Sequence, residues 1–136
     1  MNTTHIKDLF DLKDHVALVT GGSRGLGRAM AEALAQAGAR TVVASRQAKD
    51  CERAADEISK ATDRESLGLA LDVTREPEVD RVFAEIQKRF GRLDVVINGA
   101  GINVRNLVED CSLEDFENVI KIYLTGTWLV CRAAAR

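Results

Sequence analysis

The stretch HVALVTGGSRGLGRAMAEALAQAG, residues 15–38, carries the strongest structural signal in this sequence. Its first six residues are rich in valine, which is typical of a short buried strand. A run of glycines follows, and apolar residues then recur at a helical spacing up to Gly38, which suits a left-handed helix end. The stretch therefore predicts a strand, a glycine-rich turn and an amphipathic helix. The inward face of this helix is predicted from its apolar positions: Leu26, Ala29, Met30, Ala33, Leu34 and Ala37.

The same alternation of strand and helix continues along the chain. RTVVAS (Arg40–Ser45), SLGLALD (66–72) and RLDVVING (92–99) are predicted strands, each followed by a helical pattern. Thr74 is the predicted N-cap of the third helix, with Pro77 in its first turn, and Ser112 caps the fourth. Strands that are apolar on nearly every residue are typical of parallel strands covered on both faces. The sequence thus predicts an α/β fold, a doubly wound parallel sheet with four strands and four helices.

Right-handed crossovers give this sheet the predicted strand order 3-2-1-4. The fourth strand, LDVVIN, would then be an open apolar edge, which stable proteins avoid. The last predicted helix ends in three alanines and Arg136, without a glycine, asparagine or proline to stop it. From these features we expect residues 1–136 to be a single domain that is incomplete and truncated inside its last helix.

Composition and charge exclude several functional classes. The formal net charge is −2, from 21 acidic and 19 basic residues, so nothing draws the chain to nucleic acid or anionic lipid. No apolar run approaches the roughly 20 residues of a membrane span. The polar start, MNTTHIKDLFDLKDH, reads as neither a secretory signal nor a transit peptide. The three cysteines form no CxxC pair, so we expect reduced thiols, no metal site, and a cytoplasmic protein that binds neither nucleic acid nor membrane.

The glycine-rich turn, VTGGSRGLG (19–27), is the candidate site for a nucleotide. Residues without a Cβ let the backbone approach a phosphate closely, and free N–H groups at the start of the next helix point towards its negative charge. Dinucleotide sites in doubly wound folds lie at this place, between the first strand and its helix. A P-loop is excluded because no Gly-Lys-Ser/Thr follows. The candidate phosphate-binding residues are Gly21, Ser23, Arg24, Gly25, Leu26 and Gly27.

The end of the second strand, Ser45-Arg46, indicates the kind of nucleotide. An acidic residue here would hold the ribose hydroxyls of NAD, and none is present. The guanidinium of Arg46, together with that of Arg24, suits a 2′-phosphate because its fork binds phosphate oxygens bidentately. NADP is therefore favoured, with NAD as the alternative. The competing interpretation is that both arginines are ordinary solvated surface charges.

Two further candidate segments follow the third and fourth strands. The carboxylate of Asp72 could accept from an adenine amino group, with the backbone of Val73 beside it, and a helix-capping aspartate is the alternative interpretation. The segment NGAG has small residues that leave room for a ligand at the carboxyl end of the strand, unless it forms only a tight turn. Its candidates are Asn98, Gly99, Ala100 and Gly101.

Together, TGGSRGLG, ASR, LDV and INGAG, in this order and spacing, resemble the short-chain dehydrogenase/reductase family over residues 12–136. The resemblance implies a Rossmann fold and an NAD(P)-binding domain over residues 1–136. It also implies an oxidoreductase that transfers a hydride between the nicotinamide and a small-molecule alcohol or ketone, as a homodimer or homotetramer. The segments LFDLKDHVALVTGGSRGLG and INGAGIN look most like the gluconate 5-dehydrogenase and 3-oxoacyl reductase branch.

Several positions match the family's motifs one by one. Ser45 stands where NAD users carry an aspartate, and Arg46 where NADP users often carry a basic residue. Asp72 corresponds to the aspartate on the adenine side. The pyrophosphate loop and the first asparagine of the family's NNAG motif correspond to Gly21, Gly25, Gly27 and Asn98.

The chain departs from the family pattern in three ways. Gly99 replaces the second asparagine of NNAG, a smaller residue that preserves the cofactor crevice. Tyr123 stands in the last helix where the family has an asparagine that helps to hold a water of the proton relay; we expect Tyr123 to be a packed aromatic on the helix's inner face. The family's catalytic serine and Tyr-x-x-x-Lys pair do not occur in these 136 residues, so no catalytic residue is assigned here.

Three hypotheses follow for the function. The leading one is an NADP(H)-preferring short-chain dehydrogenase/reductase of which this chain holds the cofactor-binding half, so that the 136 residues alone show no turnover. The second is a genuine short protein that serves as a non-catalytic nucleotide-binding or interaction module. The third, a methyltransferase that uses S-adenosylmethionine, is disfavoured because its site would also require an acid at the end of the second strand.

Overall fold

The computed structural model describes residues 6–136, which form one parallel sheet with helices packed on it. The strands are β1 (Val16–Thr20), β2 (Arg40–Ser45), β3 (Ser66–Ala70) and β4 (Val95–Asn98). The helices are α1 (Ile6–Leu9), α2 (Gly25–Gln36), α3 (Ala48–Thr62), α4 (Glu76–Phe90), α5 (Leu113–Ile120) and α6 (Thr127–Ala134). A 3₁₀ turn, Val108–Asp110, precedes α5. The first five residues of the polar start lie outside the described part of the chain.

The strand order is β3-β2-β1-β4 with every pairing parallel, which confirms the predicted doubly wound α/β architecture. Thr20, the last residue of β1, lies opposite Ala44 of β2 on one side and Asn98 of β4 on the other. Because the carboxyl ends of parallel strands meet at one edge of the sheet, the segments that follow them are brought together there. The short α1 is an addition that the sequence pattern did not indicate.

The core is built around β1, whose five residues are all buried. Alternate side chains of a strand point to opposite faces of the sheet. Leu18 therefore packs into a cluster with Ile86 of α4 and Val130 of α6, while Val19 packs into a second cluster with Ile58 of α3. Burying one such aliphatic side chain contributes about 1.5–3 kcal/mol, so the two clusters hold helices on both faces.

The predicted inward face of α2 is wrong for most of its residues, although Leu34 is partly buried against the cluster that contains Val19. Leu26 is 79% exposed and Met30 is also exposed, whereas Gly27, Ala31 and Ala35 are buried against the sheet. The buried residues recur every fourth position, so they form one stripe of small side chains that lets the helix approach the strands closely. Because α2 lies close to the sheet, its buried face accommodates small residues rather than larger apolar ones, and Leu26 points outwards at the start of the helix.

The predicted N-cap is confirmed for α5 and is wrong for α4. Ser112 caps α5 as predicted, since its Oγ accepts from the N–H of Asp115 at 3.0 Å. Thr74 is not the N-cap of α4. That position belongs to Arg75, which makes no side-chain cap, while Thr74 Oγ1 donates to Oδ1 of Asp72 at 2.7 Å. The turn before α4 is therefore stabilised by Asp72 rather than by a cap.

The last predicted helix is interrupted. A π-helical segment, Lys121–Gly126, joins α5 to α6, and Gly126 packs so closely on Val73 that a Cβ there would lie 2.6 Å from Val73 Cγ2. Phe116, Leu124 and Trp128 are more than half exposed along this stretch. No other element within residues 6–136 covers these three apolar side chains fully. Within residues 6–136, no helix combines the length and the apolar character that crossing a membrane requires.

Candidate functional site

A cavity of about 840 Å³ opens at the carboxyl ends of the strands. Its wall is formed by the turn after β1, by the segments that follow β2, β3 and β4, and by the region where α5 meets the π-helical segment. The crossovers run in opposite directions on the two sides of β1, and ligands of doubly wound folds bind where this direction changes. This cavity is therefore the candidate functional site.

The structure brings thirteen of the fourteen predicted site residues into the wall of this cavity. They are Gly21, Ser23, Arg24, Gly25, Leu26, Gly27, Ser45, Arg46, Asp72, Val73, Gly99, Ala100 and Gly101. The exception is Asn98, which is exposed and whose Nδ2 donates to Sγ of Cys131 in α6 at 3.4 Å. That these residues bind a cofactor stays a prediction, but their assembly at one place is an observed property of the fold.

The glycine-rich turn shapes one wall of the cavity. Gly27 is required by packing, because a Cβ at this position would overlap the carbonyl oxygen of Gly21. Gly25 begins α2 with a φ of +57°, and a Cβ there would meet no protein atom within 4 Å. The first N–H groups of a helix have no partner within the helix. The turn thus offers backbone donors and free space at the same point, which is the arrangement that a phosphate requires.

Positive charge gathers at the end of β2. Arg24 and Arg46 are exposed in the cavity wall, and neither forms an ion pair with any carboxylate among the described residues. Asp50 also lines the cavity, but Arg53 pairs with it at 2.9 Å. An anion bound at this end of the cavity would therefore meet two guanidinium groups that form no ion pair within residues 6–136.

Asp72 provides a fixed negative charge after β3. Its Oδ1 accepts from the N–H of Thr74 at 3.0 Å and from the hydroxyl of the same residue. Burial raises the pKa of Asp72, but the two hydrogen bonds from Thr74 and the charges of Arg46 and Arg75 outweigh it and hold the pKa below its ordinary value. The carboxylate is ionised at neutral pH, and both of its bonds from Thr74 use Oδ1.

The segment after β4 is tied to two other parts of the wall. The N–H groups of Gly99 and Ala100 both donate to Oγ1 of the buried Thr20, each at 3.2 Å. Farther along, the hydroxyl of Tyr123 donates to the carbonyl of Ile102 at 3.0 Å. Tyr123 is half exposed, so the expectation of a packed aromatic on the inner face is wrong. Its ring instead lies over Gly101, where a Cβ would overlap it.

Sequence reasoning missed part of the wall. Asn118 and Lys121 lie three positions apart, so they share one face of a helix. This spacing would have indicated both residues if the helix had been known to border the site. Asp50 of α3 and Ile122 of the π-helical segment also lie on helices, and the rest lie in the connecting segments after the strands. The missed residues are Gln47, Asp50, Leu71, Thr74, Ile102, Asn118, Lys121 and Ile122.

The site is built for binding, and the described residues give no indication of a metal. No group of three His, Cys, Asp or Glu side chains that could hold a metal ion occurs within residues 6–136. What the wall offers is a set of backbone donors, two free guanidinium groups, one ionised carboxylate and a floor of small residues. This combination suits a ligand that carries phosphate groups at one side and a flat apolar group at another.

Comparison with known proteins identifies the family. The family model described as short chain dehydrogenase matches residues 15–136, and the chain belongs to this family. A 3-oxoacyl-[acyl-carrier-protein] reductase of Bos taurus is 38% identical over 123 residues, which cover 90% of this chain and 50% of that protein. The chain spans about half the length of the curated relatives it matches.

Solved structures lead to the same family. A short-chain type dehydrogenase/reductase from Mycobacterium marinum matches with a TM-score of 0.92 and 35% identity, over 97% of this chain and 52% of that one. An alcohol dehydrogenase from Thermococcus sibiricus, complexed with 5-hydroxy-NADP, matches with a TM-score of 0.84 and 33% identity, over 89% of this chain and 52% of that one. These matches confirm the Rossmann fold.

Proposed function

We propose that this chain is the cofactor-binding half, over residues 1–136, of an NADP(H)-preferring oxidoreductase. The nicotinamide, when bound, would supply or accept the hydride that interconverts an alcohol and a ketone. The observation that carries the cofactor preference is the end of β2, where Ser45, Arg46 and Gln47 line the cavity and none of the three carries a carboxylate. The acidic residue that would bind the ribose of NAD is missing at this place, and the guanidinium groups of Arg24 and Arg46 lie there instead.

The residues present fit such a cofactor. The open space at Gly25 lets a diphosphate reach the first N–H groups of α2, while Arg24 and Arg46 are placed to hold a 2′-phosphate. Asp72 offers an acceptor for an adenine amino group beside the buried Val73. The small residues after β4 leave room for the rest of the dinucleotide. In this assignment the cavity-lining residues of the chain bind or orient the cofactor, and none of them moves a proton to the substrate.

The names of the relatives support the reaction class. The Bos taurus protein is called a 3-oxoacyl-[acyl-carrier-protein] reductase and the Thermococcus sibiricus protein an alcohol dehydrogenase. Because the chain spans about half of such proteins, the catalytic groups and the substrate-binding residues of this enzyme would lie outside these 136 residues. We accordingly propose a small-molecule alcohol or ketone substrate, a homo-oligomeric enzyme in the cytoplasm, and no turnover by the 136 residues alone.

A second candidate is a non-catalytic nucleotide-binding or interaction module. The observation in its favour is the run of exposed apolar side chains along α5, the π-helical segment and α6, among them Phe116, Leu124 and Trp128. A partner protein that covers this face would bury them. Size-exclusion chromatography and thermal melting of the 136 residues separate the two candidates: a monodisperse, cooperatively melting particle supports the module, and aggregation supports the enzyme half.

Calorimetric titration of the protein in its complete natural form with NADPH and NADH tests the leading proposal. We expect tighter binding of NADPH, and we expect Arg46→Ala to weaken NADPH binding about tenfold while NADH binding stays the same, since an exposed charge-assisted hydrogen bond is lost. Arg64→Ala is the matched control, because Arg64 is an exposed arginine outside the cavity wall. Equal affinity for both nucleotides, or equal effects of the two substitutions, would contradict the proposed NADP preference.

A further inference from the structure

A chain of three side chains leads from the interior of the protein to the cavity. Sγ of Cys51, in the first turn of α3, lies 3.0 Å from Oγ of Ser45, and the Ser45 hydroxyl donates to Oγ of Ser23, also at 3.0 Å. Cys51 is fully buried, whereas Ser45 and Ser23 line the cavity. The chain thus ends at the wall where Arg24 and Arg46 lie.

Cys51 is held in place by the sheet. A side chain on Gly68 of β3 would overlap the backbone carbonyl of Cys51, so the first turn of α3 is pressed directly onto this strand. The backbone N–H of Cys51 also donates to the carbonyl of Gln47 at 3.1 Å. Because the backbone of α3 lies directly against β3 at this contact, Cys51 stands beside the end of β2, where its Sγ reaches the Ser45 hydroxyl.

The protonation state of the cysteine makes it a donor. Burial raises the pKa of the Cys51 thiol above its ordinary value. The thiol is therefore protonated at neutral pH, with one S–H to donate. Of its two neighbouring oxygens, Oγ of Ser45 lies at 3.0 Å and the carbonyl oxygen of Ser45 at 3.7 Å, so the hydroxyl oxygen is the nearer acceptor.

The donor and acceptor roles of Ser45 and Ser23 follow from the donation by the Cys51 thiol. The Ser45 hydroxyl donates its proton to Oγ of Ser23, so the Ser45 oxygen accepts from the thiol of Cys51. The Ser23 oxygen accepts from Ser45, and no acceptor for the Ser23 hydroxyl proton is found within residues 6–136. A hydroxyl has one proton to donate. The proton of Ser23 is consequently available to an acceptor that enters the cavity.

We propose that Cys51 is a positioning residue that orients Ser45 and Ser23 so that Ser23 donates its hydroxyl proton to the 2′-phosphate of NADP(H). The inference rests on the proposed function and adds a neutral donor to the two arginines. An ionised phosphate ester mainly accepts hydrogen bonds, so it benefits from a hydroxyl whose proton is directed outwards. The 2′-hydroxyl of NAD both donates and accepts, so it gains less from this direction.

The test measures preference for the 2′-phosphate rather than affinity alone. The protein in its complete natural form is titrated calorimetrically with adenosine 2′,5′-bisphosphate and with adenosine 5′-monophosphate. Cys51→Val removes the donor and keeps a similar volume, and we expect it to lower the affinity ratio of the two nucleotides about fivefold, the size of one neutral hydrogen bond. Cys51→Ser keeps a donor at this position and should restore the ratio. Cys111→Val changes an exposed cysteine outside the cavity and is the matched control.

A double variant separates positioning from packing. If Cys51 acts through Ser23, then Cys51→Val does not change the ratio when Ser23→Ala is already present. A packing defect in α3 would instead weaken both nucleotides alike and leave the ratio constant, which would overturn the inference. Cys51→Ala, which adds no branched side chain, provides the same comparison if valine prevents folding.

The outcomes distinguish this inference from the proposed function. If the wild-type protein binds both nucleotides and Cys51→Val or Cys51→Ala leaves their ratio unchanged, the positioning role of Cys51 is refuted and the proposed function stands. Equal losses in Cys51→Val and Cys51→Ser refute it as well, because the second keeps the donor. A wild-type protein that binds neither these nucleotides nor NADPH overturns the proposed function and this inference with it.

Discussion

Replacing Gly25 with alanine separates binding from folding in the glycine-rich turn. Gly25 has a φ of +57°, and a Cβ built there meets no atom within 4 Å. The only cost to folding is the left-handed backbone, which destabilises an alanine by about 1 kcal/mol. Under the proposed function, however, this free space is where the diphosphate approaches the start of α2. The methyl group would occupy that space in the complex.

The expected loss of NADPH affinity in Gly25→Ala follows from the hydrogen bonds between the phosphate and the backbone N–H groups that would be lost. A methyl group in this space would move the phosphate by more than about 1 Å, which stretches N–H···O distances from about 2.9 Å beyond the range of a hydrogen bond. Losing two hydrogen bonds to a charged group at about 1.5 kcal/mol each amounts to about 3 kcal/mol. We therefore expect Gly25→Ala to weaken NADPH binding roughly 100-fold.

Gly91→Ala is the matched control for this substitution. Gly91 ends α4 with a φ of +71°, a Cβ there also meets nothing within 4 Å, and Gly91 is not part of the cavity wall. Urea unfolding should show a similar loss of stability in both variants, and calorimetry should show weaker NADPH binding in Gly25→Ala alone. If Gly25→Ala binds NADPH as tightly as Gly91→Ala does, the diphosphate does not lie at this turn and the reasoning is refuted.

Two further predictions concern the folded scaffold. Asp94 accepts from the N–H of Val16 at 2.8 Å, and its hydrogen bond with Arg92 leads the causes that hold the pKa of Asp94 below its ordinary value. The ionised carboxylate thus contributes stability that is complete above about pH 4 and lost as the pH falls through the lowered pKa. Asp94→Asn should cost about 1 kcal/mol in urea unfolding at pH 7 and less at pH 3, and an equal loss at both pH values would contradict this account. Tyr123→Phe removes the bond to the Ile102 carbonyl, so hydrogen exchange should accelerate several-fold across residues 99–106 but not in β2; unchanged exchange there would show that Tyr123 does not hold this segment.

The sheet was the most predictable part of this molecule. Its strands are apolar on nearly every residue, which requires cover on both faces, and the handedness of crossovers then leaves few strand orders. Gly38 was expected to end the first long helix in the left-handed region, and its φ of +107° has the expected sign. These features depend on local chemistry and on general chirality, so one sequence suffices to predict them.

The inward face of α2 was not predictable in the same way. Counting apolar residues favours Leu26 and Met30, but the distance between helix and sheet decides which face is buried, and this distance is set by Gly27, Ala31 and Ala35. The π-helical segment is a similar case. One extra residue in a helical turn changes the direction of later side chains without a signal in composition, and here it leaves Tyr123 half exposed.

The residues of the candidate site were predictable where their position at the end of a strand decides whether they reach the cavity. Residues that directly follow β1, β2 and β3 all reach the cavity, because parallel strands end at one edge. Asn98 is different because its side chain lies on the face of the sheet that bears Cys131 of α6. Neighbouring residues of a strand point to opposite faces, so a shift of one position moves a side chain out of a site.

A crystal structure of the protein in its complete natural form with NADPH would measure the placement on which this account depends. We expect diphosphate oxygens within about 3 Å of backbone nitrogens at the start of α2, and the 2′-phosphate between Arg24 and Arg46 with the Ser23 hydroxyl beside it. Diphosphate density away from the Gly25 turn, or a 2′-phosphate that touches neither arginine, would contradict it.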